Sequence, residues 1–299
     1  MTYTPCFTIP ELKPFISWSY FFHAWSLGTS FASIAQVHDC PACLAGWMQN
    51  FPEDQKTQAQ TALNLWHDAQ EQLRRWNEEG RSATCRVMIE RAWSEEEDIV
   101  LPDLGARLPL LRSQHYAPGE PALCLADFVA PRQSGINDHI GLFASTTEPD
   151  MEQSHDGDPY RHLLAQTLAD RLAEAAAELA HMMVRRQWWG YAADEQLTIP
   201  QMLAAHYQGI RPAVGYPSLP DQSLNFLLST LLDFPSLGIR LTESGAMMPH
   251  ASTSGIMLAH PCARYFSVGT IGEDQLRDYA RRRGMEPDAL RPFIHTEGF

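Results

Sequence analysis

The sequence has 299 residues, 44% of them hydrophobic, and a formal net charge of −14 at pH 7. This length allows a sizeable buried core, and the acidic charge disfavours a nucleic-acid backbone or an anionic membrane as partner. The 22 basic residues include only two lysines, Lys13 and Lys56. Schiff-base chemistry and lysine-dependent phosphate loops are therefore not expected.

The N-terminal stretch MTYTPCFTIPELKPF lacks the basic start and apolar run of a signal peptide. No uninterrupted apolar stretch reaches the length of about 18 residues that a membrane span requires. The cysteines are then expected to be reduced thiols rather than a disulfide framework. We expect a cytoplasmic protein that does not associate with membranes.

The first third of the chain combines aromatic, irregular, helical and strand patterns. FISWSYFFHAWSLG has six aromatic rings in fourteen positions, a density typical of core packing. Residues 38–53 look irregular, and residues 54–79 show helical spacing that Gly80 ends. The segments TCRVMIERAW and DIVL, within residues 83–101, are predicted to be two strands around an acidic turn.

The longest predicted helix covers residues 159–189. Its apolar stripe is Leu164, Leu168, Leu172, Leu179 and Met183, and its opposite face carries Asp170, Glu174, Glu178 and His181. Shorter helices are predicted at 199–208 and 221–233, and a last one at EDQLRDYARRRG. Predicted strands are ALCLADFVAP (122–131), HIGLFAST (139–146), GIRLTES, SGIMLAHP and RYFSVGTIG. Because no βαβ rhythm is present, the pattern indicates an α+β fold with mainly antiparallel strands.

The segment GIRPAVGYPSLPDQ, residues 209–222, contains three prolines and two glycines. These residues exclude a helix and disfavour a central strand, so we predict an irregular loop over 209–220. Such a loop can present main-chain groups to an adenine, Tyr216 offers a flat face, and Arg211 can pair with a carboxylate. The alternative is a plain turn whose arginine pairs with an internal acid.

The best candidate for a metal site is the run His38, Asp39, Cys40 and Cys43. A closed structural zinc site needs a second pair of ligands, and the other cysteines are isolated in the sequence. A metal or redox role with His38 as third ligand stays open as an alternative. We predict that Cys40 and Cys43 hold no structural zinc and that the chain has no metal site.

Several collinear motifs resemble the activation (reactivation) domain of cobalamin-dependent methionine synthase. They are RPAVGYPSLPDQ, LTESGAMMPHASTSGIMLAHPCARYFSVG and DQLRDYARRRGM, preceded in the family's order by FISWSYFFHAWSLG, LADFVAP, ADRLAEAAAE, WWGYA and YQGIRPA. The likeness covers roughly residues 15–295, with an apparent insertion around 31–50. It implies one C-shaped α+β domain, residues 1–299, built around a bent, twisted antiparallel sheet flanked by helices.

The resemblance also implies a function. Such a domain binds S-adenosylmethionine and presents its methyl group for reductive methylation of cob(II)alamin, which a partner corrinoid module of methionine synthase carries. A flavodoxin-like protein donates the electron. Cobalamin would then reach this chain only through its partner, and the chain would be an accessory component rather than a complete enzyme. The cobalamin-binding pattern DxHxxG is absent, so we expect a stand-alone protein that acts in trans.

Site residues follow from the matching positions. The resemblance assigns Arg211 to the ligand's carboxylate, and it assigns Asp170 to contact with the cobalamin domain. The other residues implied to line the S-adenosylmethionine site are Ser17, Glu174, Ala213, Gly215, Tyr216, Tyr265 and Phe266. No catalytic acid, base or nucleophile is expected, because the task is positioning.

Two positions depart from the family pattern. Ser17 stands where the family has an aspartate that reads the ligand's ammonium group, and Ala205 replaces a second acid. A charged hydrogen bond contributes roughly 1.5–3 kcal/mol, so either loss weakens binding. The alternative hypothesis is therefore a non-catalytic binding module that kept the scaffold but takes another ligand or only a protein partner.

Overall fold

Helices and strands intermix through the residues that the computed structural model describes, which are 1–114, 116, 119–152 and 157–294. The strands are Thr2–Tyr3 (β1), Cys6–Thr8 (β2), Ser82–Glu95 (β3), Asp98–Leu101 (β4), Ala106–Pro109 (β5), Asp138–Thr147 (β6), Arg240–Leu241 (β7), Met247–Met248 (β8) and Ser252–Met257 (β9). The helices are Ile9–Leu12 (α1), Trp18–Ala24 (α2), Pro41–Gln49 (α3), Lys56–Glu78 (α4), Pro159–Met183 (α5), Ile199–Leu203 (α6), Leu224–Leu232 (α7), Glu273–Arg283 (α8) and Pro287–Leu290 (α9).

One antiparallel sheet organises the fold. Its strand order is β5-β4-β3-β6-β9, and β1 and β2 also pair with β3. Buried and half-buried residues alternate along β3, whereas β6 is buried on both faces from Ile140 to Thr147. The two faces of β6 therefore lie in different cores: Phe143 packs with the core that includes α4 and α5, and Leu142 packs with the core that includes α7. The predicted α+β class with antiparallel strands is confirmed.

The long predicted helices and several strands are confirmed with small changes in their ends. The 54–79 prediction corresponds to α4, and the 159–189 prediction corresponds to α5 followed by a π-helical turn, Val184–Trp188. Both strands within 83–101 and the strand at 139–146 are present as β3, β4 and β6. No helix of the described residues is long and apolar enough to cross a membrane.

Three predictions about local structure were wrong. The segment 122–131 is not a strand but contains a 3-10 helix, Leu125–Phe128. This short helix forms because the Asp127 carboxylate accepts the Cys124 N–H at 2.8 Å; the same carboxylate also binds Arg112. A side chain that bonds its own main chain in this way competes with a strand ladder.

The predicted strand RYFSVGTIG has no ladder partner and bonds to neighbouring loops through single contacts, such as the Val268 N–H to the Pro217 carbonyl. Residues 38–53, expected to be irregular, contain α3. Cys40 caps this helix and Pro41 occupies its first turn, where a missing N–H costs nothing. Strands GIRLTES and SGIMLAHP are present only in part, as β7 and β9.

The segment 209–220 has no regular structure, as predicted, and it lies along the edge of β9. Ile210 and Leu258 exchange two main-chain hydrogen bonds at 2.9 Å, and Ala213 forms a bridge with Gly255. A Cβ atom on Gly255 would stand 2.2 Å from the Pro212 carbonyl oxygen. The absence of a side chain at Gly255 therefore lets the loop dock on the sheet.

We expect Gly255→Ala to destabilise the fold, because backbone atoms of the docked loop cannot make room for the new methyl group. Overpacking of this kind costs about 1–3 kcal/mol. The matched control is Gly46→Ala in α3, where a Cβ meets no atom within 4 Å and where alanine should stabilise by roughly 0.5–1 kcal/mol. Urea unfolding of both variants measures the difference. Equal free energies of unfolding for both variants would contradict this account of the docking.

Candidate functional site

Arg211 lies at the start of the irregular segment, directly against Tyr265. The Arg211 main-chain N–H donates to the Tyr265 hydroxyl oxygen at 2.9 Å. The Tyr265 ring itself is exposed. The hydroxyl is thereby fixed while one face of the ring stays open to solvent.

The guanidinium of Arg211 points towards α5. Its Nη2 donates to Glu178 Oε2 at 2.8 Å, and its Nη1 lies 3.8 Å from Glu174 Oε2. The arginine side chain is only 10% exposed. Desolvation opposes the charge, but the carboxylate of Glu178 raises the pKa of Arg211 above its ordinary value. Arg211 therefore stays charged, with one carboxylate bound and a second beyond hydrogen-bond distance.

The three acids of α5 form one stripe, because residues four apart lie on the same side of a helix. Their exposure differs: Glu178 is 8% exposed and Glu174 is 30% exposed. Asp170 lies 3.1 Å from the exposed His250 ring, and burial raises the pKa of Asp170. The predicted polar face of this helix is thus not a solvated face, since Glu178 and His181 are both buried.

Tyr216 approaches the same stripe from the far end of the loop. The charge of Glu174, together with burial, raises the pKa of Tyr216 to about 12, which indicates that Tyr216 lies near this acid. The ring is about half exposed. Four of the sequence-predicted residues are therefore brought together around one stretch of α5: Arg211, Glu174, Tyr216 and Tyr265.

The main chain between Arg211 and Tyr216 is largely committed to the fold. The Gly215 N–H donates to the Leu219 carbonyl, and the Tyr216 N–H donates to the Ala213 carbonyl. Gly215 has a φ of 89°, a conformation that favours glycine. Any main-chain contact of a ligand with Gly215 must then use its carbonyl group rather than its N–H.

Two predicted residues lie apart from this group. Phe266 is partly buried and packs on the core, because consecutive residues of an extended segment point in opposite directions. Ser17 directly precedes α2 without a side-chain capping bond and lines a separate cavity of about 1420 Å³, which Arg211, Tyr216 and Tyr265 do not line. One turn further along α2, Tyr20 lies close to Arg171 of α5, 5.9 Å from ring centre to guanidinium carbon. Ser17 is thus on an element that borders the stripe.

The sequence and the fold were compared with known protein families and with solved structures. The model of the vitamin B12-dependent methionine synthase activation domain matches residues 8–284. The chain belongs to this family. Among solved structures, it is similar to the MetH reactivation domain bound to AdoHcy, with 34% sequence identity and a TM-score of 0.84. That match covers 100% of this chain and 91% of the other.

Behind Arg211, this activation domain has a buried polar cluster that the sequence analysis did not assign. The Arg185 side chain is fully buried and binds Glu195 through two hydrogen bonds, at 2.8 and 2.9 Å. Its guanidinium also stacks over the Tyr207 ring and lies 3.9 Å from Glu178. Glu178 therefore lies between two arginines. The spacing of seven residues from Glu178 to Arg185 was a usable signal, because it places both on one helix face.

His181 completes the buried cluster. Its Nε2 lies 3.2 Å from the Tyr191 hydroxyl, and its ring meets the Tyr207 ring edge-on. Burial, with the charge of Arg185, holds the pKa of His181 well below its ordinary value. His181 is consequently neutral in the folded domain at pH 7.

We expect Glu178→Gln to lower the free energy of unfolding by about 3–5 kcal/mol, because it leaves buried Arg211 without its charged partner. The control is Glu53→Gln, which removes the exposed ion pair with Lys56 and should cost at most about 1 kcal/mol. Urea titration at fixed salt gives both values. A Glu178→Gln cost no larger than that of the control would show that Glu178 does not hold Arg211.

A second expectation concerns pH. Since His181 binds a proton more readily in the unfolded chain, stability should fall as pH drops through the ordinary histidine range near 6.5 and below. The contribution approaches 1.4 kcal/mol per pH unit. His181→Gln should flatten the dependence between pH 7 and 5, and His67→Gln, at an exposed helix position, should not. Parallel slopes for the two variants would contradict the buried neutral imidazole.

Proposed function

We propose that the chain binds S-adenosylmethionine between α5 and residues 209–222 and presents its methyl group to the cobalt of a partner corrinoid protein. The observation that carries the proposal is the Arg211–Glu174 ion pair, whose closest atoms lie 3.8 Å apart without a hydrogen bond, near the exposed residues Tyr216 and Tyr265. Membership of the activation-domain family and the likeness to a domain bound to AdoHcy support the same ligand class.

The amino-acid end of the ligand fits this pair. A carboxylate can accept from Arg211 Nη1, which the protein leaves without a hydrogen bond to Glu174, and the ammonium can donate to Glu174. Both contacts are charge-assisted, which makes them stronger than neutral hydrogen bonds. Glu174 would thus replace the acids that the family pattern has at positions 17 and 205.

The adenosine end would lie towards Tyr216, whose exposed ring offers a stacking face. The adenine amino group is a donor, and the Gly215 carbonyl is an acceptor suited to it. Ala213 and Gly215 would then contribute shape and carbonyl groups, Tyr265 would border the ligand, and Ser17 would contribute its hydroxyl from α2. Phe266 would not touch the ligand from the solvent side; it would anchor the segment that carries Tyr265 to the core.

The chemistry that follows is positioning. The partner's corrinoid would supply the cobalt and a flavodoxin-like donor one electron, while this chain would hold S-adenosylmethionine so that its methyl group can pass to cobalt and S-adenosylhomocysteine is left. The cationic sulfonium is favoured by the net charge of −14 and by the acids of α5. Asp170 and His250, at the exposed end of the stripe, would meet the cobalamin domain. The chain would act in trans as an accessory component.

One observation favours a second candidate function. Arg211 already has an internal acid, Glu178, at 2.8 Å. If this pair satisfies the arginine, the scaffold is a non-catalytic binding module that takes another ligand or only a protein partner. Titration with ligands that differ only in the amino-acid part separates the two candidates.

We expect Arg211→Lys and Glu174→Gln to weaken S-adenosylhomocysteine binding roughly tenfold each, because each removes one charged contact of about 1.5–3 kcal/mol. Ser17→Asp should tighten it about fivefold or more by restoring a carboxylate for the ammonium. Methylthioadenosine, which lacks the amino-acid part, should bind all of these proteins equally. Isothermal titration at fixed salt measures the affinities.

Glu71→Gln serves as the control, because it makes the same change of charge on the exposed surface of α4. It should bind S-adenosylhomocysteine like the parent. If Arg211→Lys, Glu174→Gln and the control all bind alike, the site does not read an amino acid, and the binding-module function stands instead.

A further inference from the structure

We propose that His38, Cys40 and Cys43 form a binding site for one zinc-class metal ion, with a fourth coordination position open to an exogenous ligand. The ligand atoms of these three side chains all lie within 4.8 Å of one another. Imidazole nitrogen and cysteine sulfur are the donors that Zn²⁺ takes in proteins, at about 2.0–2.3 Å, so a closure of the cluster by roughly 1 Å makes the site. This proposal revises the sequence-based prediction of no metal site.

Local structure builds the cluster. Cys40 caps α3 and Cys43 lies one turn later, so both sulfur atoms face the same side of the helix start. The Cys43 N–H donates to Cys40 Sγ at 3.3 Å. A donor aimed at sulfur stabilises the thiolate form, which is the form that binds metal. The Cys40 N–H donates to the His38 carbonyl at 2.8 Å, and this tight turn folds His38 back towards the sulfurs.

The cluster stands on a rigid base. Trp47, one turn after Cys43 in α3, is buried and contacts the rings of Phe31 and Phe51. Its indole N–H donates to the Ser33 hydroxyl at 3.0 Å, which ties α3 to the segment before His38. A site supported in this way loses little conformational entropy when an ion binds.

Access and ligand number define the kind of site. His38 and Cys43 are exposed, so an ion can enter from solvent. No other histidine, cysteine or acid among the described residues joins the cluster. A structural zinc site uses four protein ligands, whereas sites with three keep a position for water or another ligand. The ion would therefore exchange with solvent and could accept a small thiol, imidazole or carboxylate.

The main competing interpretation is a dithiol that forms a disulfide. A CxxC pair at a helix start suits that chemistry as well. A dithiol uses His38 only as a neighbour that favours the thiolate, whereas a metal site uses it as a ligand, so His38→Gln separates the two interpretations. The three-atom cluster is what favours the metal.

The test uses reduced protein and Zn²⁺ alone. We expect one equivalent per chain by competition with a chelating dye, and Co²⁺ should give the absorption bands of a thiolate-bound tetrahedral ion. His38→Gln, Cys40→Ser and Cys43→Ser should each weaken Zn²⁺ binding at least as much as the roughly 10- to 100-fold that loss of an outer-shell partner causes. The double control Cys6→Ser with Cys262→Ser removes exposed thiols outside the cluster and should change nothing.

Two results would overturn the proposal: no stoichiometric Zn²⁺ binding by the reduced parent, or Zn²⁺ binding by reduced His38→Gln with the same affinity as the parent. His38 and Cys43 are exposed and Cys40→Ser keeps a side-chain oxygen to cap α3, so the variants should fold like the parent, which thermal unfolding checks. Their affinity for S-adenosylhomocysteine should also equal that of the parent, because the cluster is not part of the Arg211 site. Failure of the metal proposal therefore leaves the proposed ligand function untouched.

Discussion

The ion pair between Arg211 and Glu178 is the constraint on which the site depends. Arg211 comes from an irregular loop and Glu178 from the most buried helix, and their atoms meet at 2.8 Å with both side chains at most 10% exposed. Each charge loses several kcal/mol of hydration on burial, so neither can stay without the other. The pair therefore joins the loop to α5, while the main-chain bonds of Ile210 and the bridge at Ala213 join it to β9.

The same pair explains why the surrounding cluster is polar. Glu178 lies between Arg211 and Arg185, Arg185 is in turn bound by Glu195, and Tyr207 covers the guanidinium. Several buried atoms of the cluster have no hydrogen-bond partner within the described residues, among them Arg211 Nε and Glu178 Oε1. The charged neighbours of Arg211 hold its guanidinium beside Glu174.

Periodicity predicted the elements whose stability comes from burial of one face, and it failed where side chains bond their own main chain. The helix at α5 and the strands β3 and β6 were foreseeable because apolar spacing matches their geometry. The strand expected at 122–131 was wrong because Asp127 caps a short helical turn, a local choice that hydropathy does not show. For the site, motifs predicted Arg211, Glu174 and Tyr265, which the structure places near one another. The helical spacing placed Glu178 opposite the apolar stripe but could not predict its burial, which depends on the tertiary contact with Arg211.

The three acids of α5 differ in burial and in their basic partners. At one end Glu178 is committed to two arginines, and at the other Asp170 lies against His250. Glu174, midway between them, has no hydrogen-bonded basic partner among the described residues, since Arg211 Nη1 is 3.8 Å away. The stripe spans about 12 Å, the rise of eight helical residues. A cationic ligand beside this stripe would find Glu174 without a hydrogen-bonded basic partner, whereas Glu178 already binds Arg211 and Asp170 lies against His250. A rigid helix, rather than a loop, holds Glu174 in this position.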